Sequence, residues 1–269
     1  MCYYNGQKVT HAEFIRLKQL EKALAKYDFH AHDLNIGFDY GLNLVLKPIA
    51  GVEDFDIVPM EWGFIPHYMH NREDLHHFRF GGTNPKTGKY DVPIITLNAI
   101  GEELFDKVTY KKSALEKRCL VLSSGFYEWR HIFPANKRTG LPVKTAIKYP
   151  YYITVKDKPY FYMAGIWTGW TDKNTGEYVE SFAIVTTKAN ALMEQVHNTK
   201  KRMPAILNEA LAYEWMFGKL DEKRISEIAA TQYPANEMTA YPIAKDFITA
   251  LKPEEPFDYA DLAPLELVE

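Results

Sequence analysis

The amino-acid sequence predicts an α+β fold in which most strands are antiparallel and the helices lie at the ends of the strand-rich region. Short apolar or β-branched segments of strand length recur through the middle of the chain, and turn residues join several of them. Helical periodicity occurs before and after these segments. Because strands and helices do not alternate one by one, the pattern argues against a parallel sheet built from βαβ units.

The individual elements follow from the hydrophobic pattern. Apolar residues at helical spacing predict an amphipathic helix over residues 11–27, and alternating side chains predict a strand over 42–47. Further apolar runs predict strands at residues 92–97, 119–123, 151–155, 160–166 and 181–186. Turn residues at 156–159 and 172–176 predict two hairpins, residues 67–89 are expected to be irregular, and helical patterns return at 189–196, 208–217 and 221–230.

Length and composition fit one domain with a loosely packed, acidic C-terminus. The chain has 269 residues, 46% of them hydrophobic, and no internal repeat or low-complexity linker divides it. No apolar run reaches membrane-spanning length, and the start lacks the basic and apolar pattern of a secretory signal. The only cysteines, Cys2 and Cys119, suit a reducing compartment. We therefore expect a protein of the cytoplasm or nucleoid that does not bind membranes.

The charge distribution permits a local site for a polyanion. A formal net charge of −3 gives no overall sign of nucleic-acid binding. Lys and Arg nevertheless cluster at residues 107–118, 137–148 and 200–202. A basic groove on one face and ordinary solvated surface charge are both compatible with this pattern.

Cys2 directly follows the initiator methionine, so removal of Met1 would place a thiol and an α-amine on one carbon. The amine has an ordinary pKa of about 7.7–8.0 and the thiol one of about 8.5, so both are usable nucleophiles near neutral pH. The amine can add to an aldehyde as a Schiff base, and the sulfur can then close a thiazolidine ring. The alternative is that Cys2 is simply a small buried hydrophobic side chain.

Three further residues are candidates for chemistry. Glu128 lies among aromatic residues in the segment 125–130, where we expect a raised pKa that would suit proton transfer. The alternatives are that Glu128 forms a salt bridge to Arg130 or lies at an exposed strand position. His197 follows a predicted helix and titrates near neutrality, although lone histidines are often structural. Asn98 ends a predicted strand, where its amide could orient an amine or carbonyl oxygen or merely start a turn.

Two other features concern binding. Residues 62–66 form an aromatic, stiff segment that could belong to the core or could offer a stacking surface for bases. The sequence has no HExxH motif, no paired zinc-type cysteines, no phosphate-binding or dinucleotide-binding glycine loop and no nucleophile elbow. We therefore expect neither a metal nor a cofactor.

Taken together, these residues resemble the SOS-response-associated peptidase (SRAP) family. The resemblance rests on Met1-Cys2, on His197 and on short blocks in the family's order at residues 62–66, 97–99, 118–120, 125–129, 164–167 and 202–204. It covers about residues 1–245, which we take as one domain, followed by an acidic C-terminal extension over residues 246–269 that packs on it or trails from it. The fold that it implies is a β-rich, barrel-like core with flanking helices.

The resemblance implies a protein that senses abasic sites in single-stranded DNA and forms a covalent DNA–protein crosslink. We expect it to be a monomer. On the matching motifs, Cys2 is the nucleophile and Asn98 orients it. Glu128 handles proton transfer, while His197 assists ring opening or later reversal of the link. The implied DNA contacts come from Arg202, which matches a phosphate-binding arginine, and from the segment that contains Trp62 and Pro66.

The chain departs from the family pattern at three places. Tyr3 and Tyr4 replace a Gly-Arg pair, which exchanges a phosphate contact for stacking, and Ile100 replaces an arginine. Residues 198–201 separate His197 from the Arg-Met-Pro block, where many members have a single residue; among them Lys200 and Lys201 could compensate for the missing arginines. Two other functions stay open: a thiol (auto)peptidase in which Cys2 releases Met1, and a non-catalytic protein that binds single-stranded DNA.

Overall fold

The computed structural model describes residues 2–7, 32–84, 87–136 and 138–266, so the helix predicted over residues 11–27 lies outside the described residues. The strands are β1 (Tyr4–Gln7), β2 (His32–Ile36), β3 (Leu42–Pro48), β4 (Phe55–Trp62), β5 (Gly82–Thr83), β6 (Tyr90–Asp91), β7 (Asn98–Ile100), β8 (Arg118–Ser123), β9 (Gly125–Ile132), β10 (Ile147–Val155), β11 (Phe161–Thr171), β12 (Tyr178–Lys188), β13 (Arg202–Pro204), β14 (Ile206–Leu207) and β15 (Met238–Pro242). The helices are α1 (Arg72–Phe80), α2 (Val108–Glu116), α3 (Ala191–Val196), α4 (Glu209–Phe217) and α5 (Glu222–Ala229).

Five strands close into a barrel. In order around the ring they are β12, β4, β3, β8 and β11, and β11 pairs back onto β12. Within the described residues the pairs of β12 with β4 and with β7 are parallel, and the other strand pairs are antiparallel. The predicted α+β fold with a mostly antiparallel, barrel-like core is therefore confirmed.

A second sheet packs against this barrel, with the strand order β15-β10-β9-β1-β2. The larger hydrophobic core joins barrel residues such as Val45 and Phe182 to Phe126 and Tyr151 of the second sheet, and it includes Cys2. The smaller core places α4 and α5 against other barrel residues. The N-terminal segment thus enters the protein between the barrel and the second sheet.

Helices α3, α4 and α5 begin where a side chain can accept a hydrogen bond from one of the first unpaired backbone N–H groups. Asn190, Asn208 and Asp221 cap α3, α4 and α5, and each accepts from the N–H three residues later. The three predicted C-terminal helices are confirmed, with starts one or two residues later because a cap residue is itself not helical.

The structure differs from the sequence prediction at three places. Residues 67–89 contain helix α1, which Asn71 caps through the N–H of Asp74. Pairing in the predicted strand 92–97 starts only at Asn98, and Pro93 in this stretch lacks the N–H that a strand ladder needs. The turn at 172–176 forms the predicted hairpin between β11 and β12, whereas residues 156–159 lead from the second sheet into the barrel.

The described part of the C-terminal extension packs on the second sheet. Phe247 stacks on Tyr127 with ring centroids 5.0 Å apart. Farther along, Tyr149 Oη donates to Asp261 at 2.6 Å and Arg130 Nη1 donates to the Ala263 carbonyl at 2.5 Å. In the part of the chain that the structure describes, no helix has the length and apolar character needed to cross a bilayer.

Two helix caps with different surroundings allow a stability test. The buried Asn190 accepts from Met193 N–H at 2.9 Å and also donates to the Tyr233 carbonyl at 2.7 Å, whereas the exposed Asn208 only caps Leu211 N–H at 2.9 Å. We expect Asn190→Ala to lower the free energy of unfolding by about 2–4 kcal/mol and Asn208→Ala by about 1 kcal/mol. Urea unfolding with equal m-values measures both, and equal losses would contradict this account of Asn190.

Candidate active site

The fold brings Cys2, Asn98, Glu128 and His197 together at the junction of the barrel and the second sheet. Their exposed fractions are 0%, 7%, 4% and 7%, so all four are buried. Asn98 Nδ2 donates to the Cys2 carbonyl at 2.8 Å, and His197 Nε2 lies 3.8 Å from Glu128 Oε2. The negative charge of Glu128 is also close enough to raise the pKa of the Cys2 thiol. Four segments that are far apart in the sequence thus form one site.

Strand β9 places Glu128 beside the N-terminal segment. Asn5 of β1 lies opposite Phe126 of β9 in an antiparallel pair, so the chain before Asn5 runs alongside Glu128. Close packing at the start of β9 requires a glycine, because a Cβ at Gly125 would lie 2.2 Å from the Tyr152 ring. Phe126 then points into the larger core and Glu128 follows on the same face.

Asn98 is held at the start of β7, which pairs in parallel with β12 through Ile184. Its amide nitrogen is used by the Cys2 carbonyl. Its Oδ1 is buried and accepts no hydrogen bond from the residues that the structure describes. Asn98 Oδ1 could therefore accept a hydrogen bond from an amine next to Cys2, which is consistent with the predicted orienting role of Asn98.

Burial moves the pKa values of Glu128 and His197 in opposite directions. It raises the pKa of Glu128 to about 7, while the positive charge of Lys200 opposes this rise. It lowers the pKa of His197 to about 4, a value to which Lys200 and His131 contribute in the same direction. Near neutral pH the imidazole is therefore neutral and the carboxyl group is close to half protonated.

The backbone of Arg202 fixes the tautomer of His197. His197 Nδ1 lies 2.8 Å from the Arg202 carbonyl and 3.4 Å from the Arg202 N–H. The shorter contact decides the tautomer: a carbonyl only accepts, so Nδ1 carries the proton and Nε2 is left as a base that faces Glu128. An acid and a base therefore face each other across 3.8 Å, a distance longer than a hydrogen bond.

The Cys2 thiol is protonated at neutral pH. Burial raises the pKa of this thiol far above its usual range, and the charge of Glu128 adds to the effect. The thiol donates to the Tyr4 carbonyl at 3.5 Å. A nucleophilic role therefore needs a group that takes the thiol proton, and Glu128 is an acidic group close enough to affect the thiol by its charge.

The aromatic residues predicted to contact DNA lie in different environments. Trp62 is 1% exposed, donates to the Leu97 carbonyl at 2.9 Å and stacks on Phe182, and Pro66 is also buried. Burial thus favours the core over the stacking surface for residues 62–66. Tyr3 is half-buried, with its ring centroid 4.9 Å from that of the exposed Phe38. Tyr4 packs instead on Trp129 at 5.0 Å.

The basic residues after His197 are not equally available. Arg202 donates to both carboxylate oxygens of Glu102 at 3.0 and 2.7 Å and to the Thr186 carbonyl at 2.6 Å. The exposed Lys201 lies 3.6 Å from Glu194. The exposed Lys200 is near enough to the site to affect the pKa values of Glu128 and His197.

Two residues of the site have no signal in the sequence. Glu102 has no local signal, because its partner Arg202 lies one hundred residues away in the chain. Asn198 belongs to the segment between His197 and Arg202, and its side chain contacts the main chain of His131. In the described parts of the chain, no group of three His, Cys, Asp or Glu residues is placed to hold a metal ion.

The displaced pKa values of the buried pair predict opposite effects on stability. The pKa of Glu128 rises from 4.5 to about 7, so its protonation stabilises the fold as the pH falls through this window, and that stability is lost as the pH rises through 7. The pKa of His197 falls from 6.5 to about 4, so its contribution is present above pH 6.5 and is lost as the pH falls towards 4.

Urea unfolding of the wild type and two variants measures these contributions. Relative to Glu128→Gln, the wild type should gain stability as the pH falls from 7 to 4.5. Relative to His197→Gln, it should lose stability as the pH falls from 6.5 towards 4. Each change should be on the order of 3 kcal/mol. Parallel pH dependences for the three proteins would contradict the burial effects.

Comparison with known proteins gives the site a context. The abasic site processing protein YoqW of Bacillus subtilis is 30% identical over 148 residues, which cover 55% of this chain and 59% of that protein. The abasic site processing protein YedK of Escherichia coli is 27% identical over 194 residues, or 72% of this chain and 70% of that protein. The match therefore spans less than two thirds of the length of the Bacillus relative.

Solved structures give the same picture of the fold. The crystal structure of a protein from Bacteroides thetaiotaomicron has a TM-score of 0.73 at 30% identity, and the match covers 95% of this chain and 97% of that chain. A protein from Bordetella bronchiseptica, with a TM-score of 0.64 at 18% identity, shares the fold. The family described as SOS response associated peptidase (SRAP) matches residues 1–249, so the chain belongs to this family.

Proposed function

We propose that this protein senses abasic sites in single-stranded DNA and forms a covalent DNA–protein crosslink through Cys2 after Met1 has been removed. The observation that carries the proposal is the placement of Cys2, whose carbonyl is held by Asn98 and whose thiol is near enough to Glu128 to be affected by its charge. Relatives in the family are named abasic site processing proteins. The protein would act as a monomer in the cytoplasm, at the nucleoid.

The first step is exposure of the aldehyde. An abasic deoxyribose is mostly a closed hemiacetal, and opening it requires a proton on the ring oxygen and removal of the proton from the C1′ hydroxyl. Glu128, with its pKa of about 7, is suited to donate the first proton. The neutral His197, whose Nδ1 carries the proton, is suited to accept the second at Nε2.

Capture of the aldehyde then uses both groups of Cys2. The amine adds to the aldehyde carbon, and loss of one water molecule gives a Schiff base. The sulfur attacks the same carbon, and its proton passes by way of Glu128 to the nitrogen, which closes the thiazolidine. The proximity of amine and thiol on one residue makes this second addition intramolecular. Reversal would run through the same steps: protonation of the ring by Glu128 would reopen the Schiff base and release the thiol, and addition of one water molecule, with His197 as the base, would release the amine and the aldehyde.

The exposed surface beside the site provides the proposed DNA contacts. Lys200 and Lys201 lie on the loop after His197 and attract phosphates, and Arg202 contributes where a phosphate competes with Glu102 for its guanidinium. Tyr3 and Phe38 form an aromatic pair on which a neighbouring base can stack. Single-stranded DNA is favoured because a lesion without a base has nothing to unstack.

A crosslinking assay with abasic single-stranded DNA tests the mechanism. Wild-type protein with a free Cys2 amine should form a heat-stable adduct, Cys2→Ala should form none, and Cys2→Ser should leave at most a labile imine. Cys119→Ala is the matched control, because Cys119 is equally buried but is packed against Gly165 in the barrel. Crosslinking by Cys2→Ala at the wild-type rate would exclude this mechanism, and equal binding of intact and abasic DNA without an adduct would indicate a non-catalytic binding protein.

The burial of Cys2 supports a second activity, self-processing as a thiol autopeptidase. Cys2 is 0% exposed, which limits the access of an aminopeptidase to its amide nitrogen in the folded protein. Attack of the Cys2 thiol on the Met1 carbonyl would break the Met1–Cys2 amide and form a thioester. Water would then hydrolyse it to free methionine and the Cys2 amine. Glu128 is placed to take the thiol proton.

Mass spectrometry of protein made in cells without methionine aminopeptidase tests this activity. We expect the wild type to lose Met1 and both Cys2→Ala and Glu128→Gln to keep it. Cys119→Ala should behave like the wild type. This control shows whether the effect comes from Cys2 itself or from the loss of any buried thiol. Retention of Met1 by the folded wild type would rule out self-processing.

A further inference from the structure

We propose that Asn198 is a positioning residue, whose side-chain amide fixes the loop carrying His197 to strand β9 and thereby sets the distance between His197 and Glu128. This inference deepens the proposed function and rests on it for its catalytic consequence. The contact itself can be tested without DNA.

The amide of Asn198 makes two hydrogen bonds to one residue of β9. Asn198 Oδ1 accepts from His131 N–H at 3.0 Å, and Asn198 Nδ2 donates to the His131 carbonyl at 2.8 Å. Both main-chain groups of His131 are therefore satisfied by one side chain that lies 67 positions away in the sequence. This geometry reproduces the pairing that a neighbouring strand would offer.

Strand β9 has room for this contact because its partner β1 is short. β1 pairs with β9 at Gly125 and Phe126, whereas β10 follows β9 as far as Ile132. The N–H of His131 donates to Asn198, so this edge of His131 faces away from β10. The amide thus occupies the edge of β9 beyond the pairs that β1 makes, three residues after Glu128.

The loop that carries Asn198 is closed at its base. Lys201 N–H donates to the His197 carbonyl at 2.9 Å, and Ala189 N–H donates to the Lys201 carbonyl at 3.0 Å. Lys201 has a φ of +50°, in the left-handed region that a tight turn requires. With His197 Nδ1 held by the Arg202 carbonyl, residues 197–202 form one hydrogen-bonded unit.

The position of this unit relative to β9 determines the geometry of the acid and base. His197 directly precedes Asn198, and Glu128 lies three residues before His131, so the two hydrogen bonds join the two segments next to the reacting groups. Proton transfer is steep in distance, and a shift of about 1 Å in a catalytic group can cost on the order of 100-fold in rate. Asn198 is only half-buried, so its loss should affect geometry far more than folding.

Three variants test the proposal. Asn198→Ala removes both hydrogen bonds. Asn198→Asp keeps an oxygen that accepts from the His131 N–H, but it places a second carboxylate oxygen, which cannot donate, against the His131 carbonyl. Thr199→Ala is the matched control, because Thr199 is the exposed next residue of the same turn. Urea unfolding midpoints of all three should stay close to that of the wild type, which confirms that the variants fold.

The first readout is the titration of His197 by nuclear magnetic resonance in protein without DNA. In the wild type we expect the Nδ1-protonated tautomer with a pKa of about 4. Asn198→Ala should bring the pKa towards its ordinary value, because movement of the loop exposes the ring to water, while the Arg202 carbonyl still holds Nδ1 and keeps the tautomer. Asn198→Asp should lie between the two, and Thr199→Ala should match the wild type. An unchanged His197 signal in folded Asn198→Ala would overturn the proposal.

The second readout is the rate of crosslinking to abasic single-stranded DNA. Asn198→Ala should slow it about 10- to 100-fold with an unchanged Kd for the DNA, and its pH profile should shift with the pKa of His197. A lowered affinity with an unchanged rate would show that Asn198 contacts DNA instead, and would also overturn the proposal. If the wild type forms no crosslink, the proposed function fails, while the titration of His197 still decides the role of Asn198.

Discussion

Burial of the Glu128 carboxyl group is the constraint on which the site depends. A carboxylate that is 4% exposed loses most of its hydration, so the protein favours the protonated form and the pKa rises to about 7. The same shortage of water keeps the imidazole of His197 neutral. An acid and a base with these properties exist near neutral pH only where the surrounding structure excludes water and holds both groups.

Strand β9 is the element that meets this requirement. Its first half is covered by β1 on one edge and by β10 on the other, and Phe126 anchors it in the larger core. Its second half is held by Asn198 and by the C-terminal extension, which binds Arg130 through the Ala263 carbonyl. The extension also exchanges two hydrogen bonds between Glu266 and Gln195, two residues before His197. Residues beyond the family match therefore support the strand and the helix that carry the buried pair.

Local chemistry was predictable from the sequence, and long-range geometry was not. The helix starts at Asn190, Asn208 and Asp221 follow from residue type, because capping depends on neighbours in the chain. Closure of the barrel depends on the parallel contact of β12 with β4, which no local pattern encodes. For the same reason the sequence does not decide whether Trp62 lies in the core or on a DNA-binding surface, because an aromatic, stiff segment has the same composition in both environments.

The candidate site shows the same division. The residues themselves indicated only what Cys2, Glu128 and His197 could do singly, and the resemblance to a family supplied their common role. Neither source pointed to Asn198, since an asparagine after a histidine is also an ordinary turn residue. Its partner is a main-chain unit, which leaves no side-chain signature at position 131.

The ion pair between Arg202 and Glu102 completes the connections among the four site residues. Glu102 follows β7, the strand that begins with Asn98, and Arg202 follows the loop of His197, so this bidentate pair joins the two sides of the site. Under the proposed function, a phosphate that binds Arg202 would compete with the Glu102 carboxylate for the guanidinium, whose contact with the Thr186 carbonyl does not involve Glu102. Exchange of Glu102 for a phosphate would therefore preserve the orientation of the guanidinium and free the Asn98 side of the site from the His197 side. Under the proposed function, binding of DNA and alignment of the groups of the site would be coupled through this arginine.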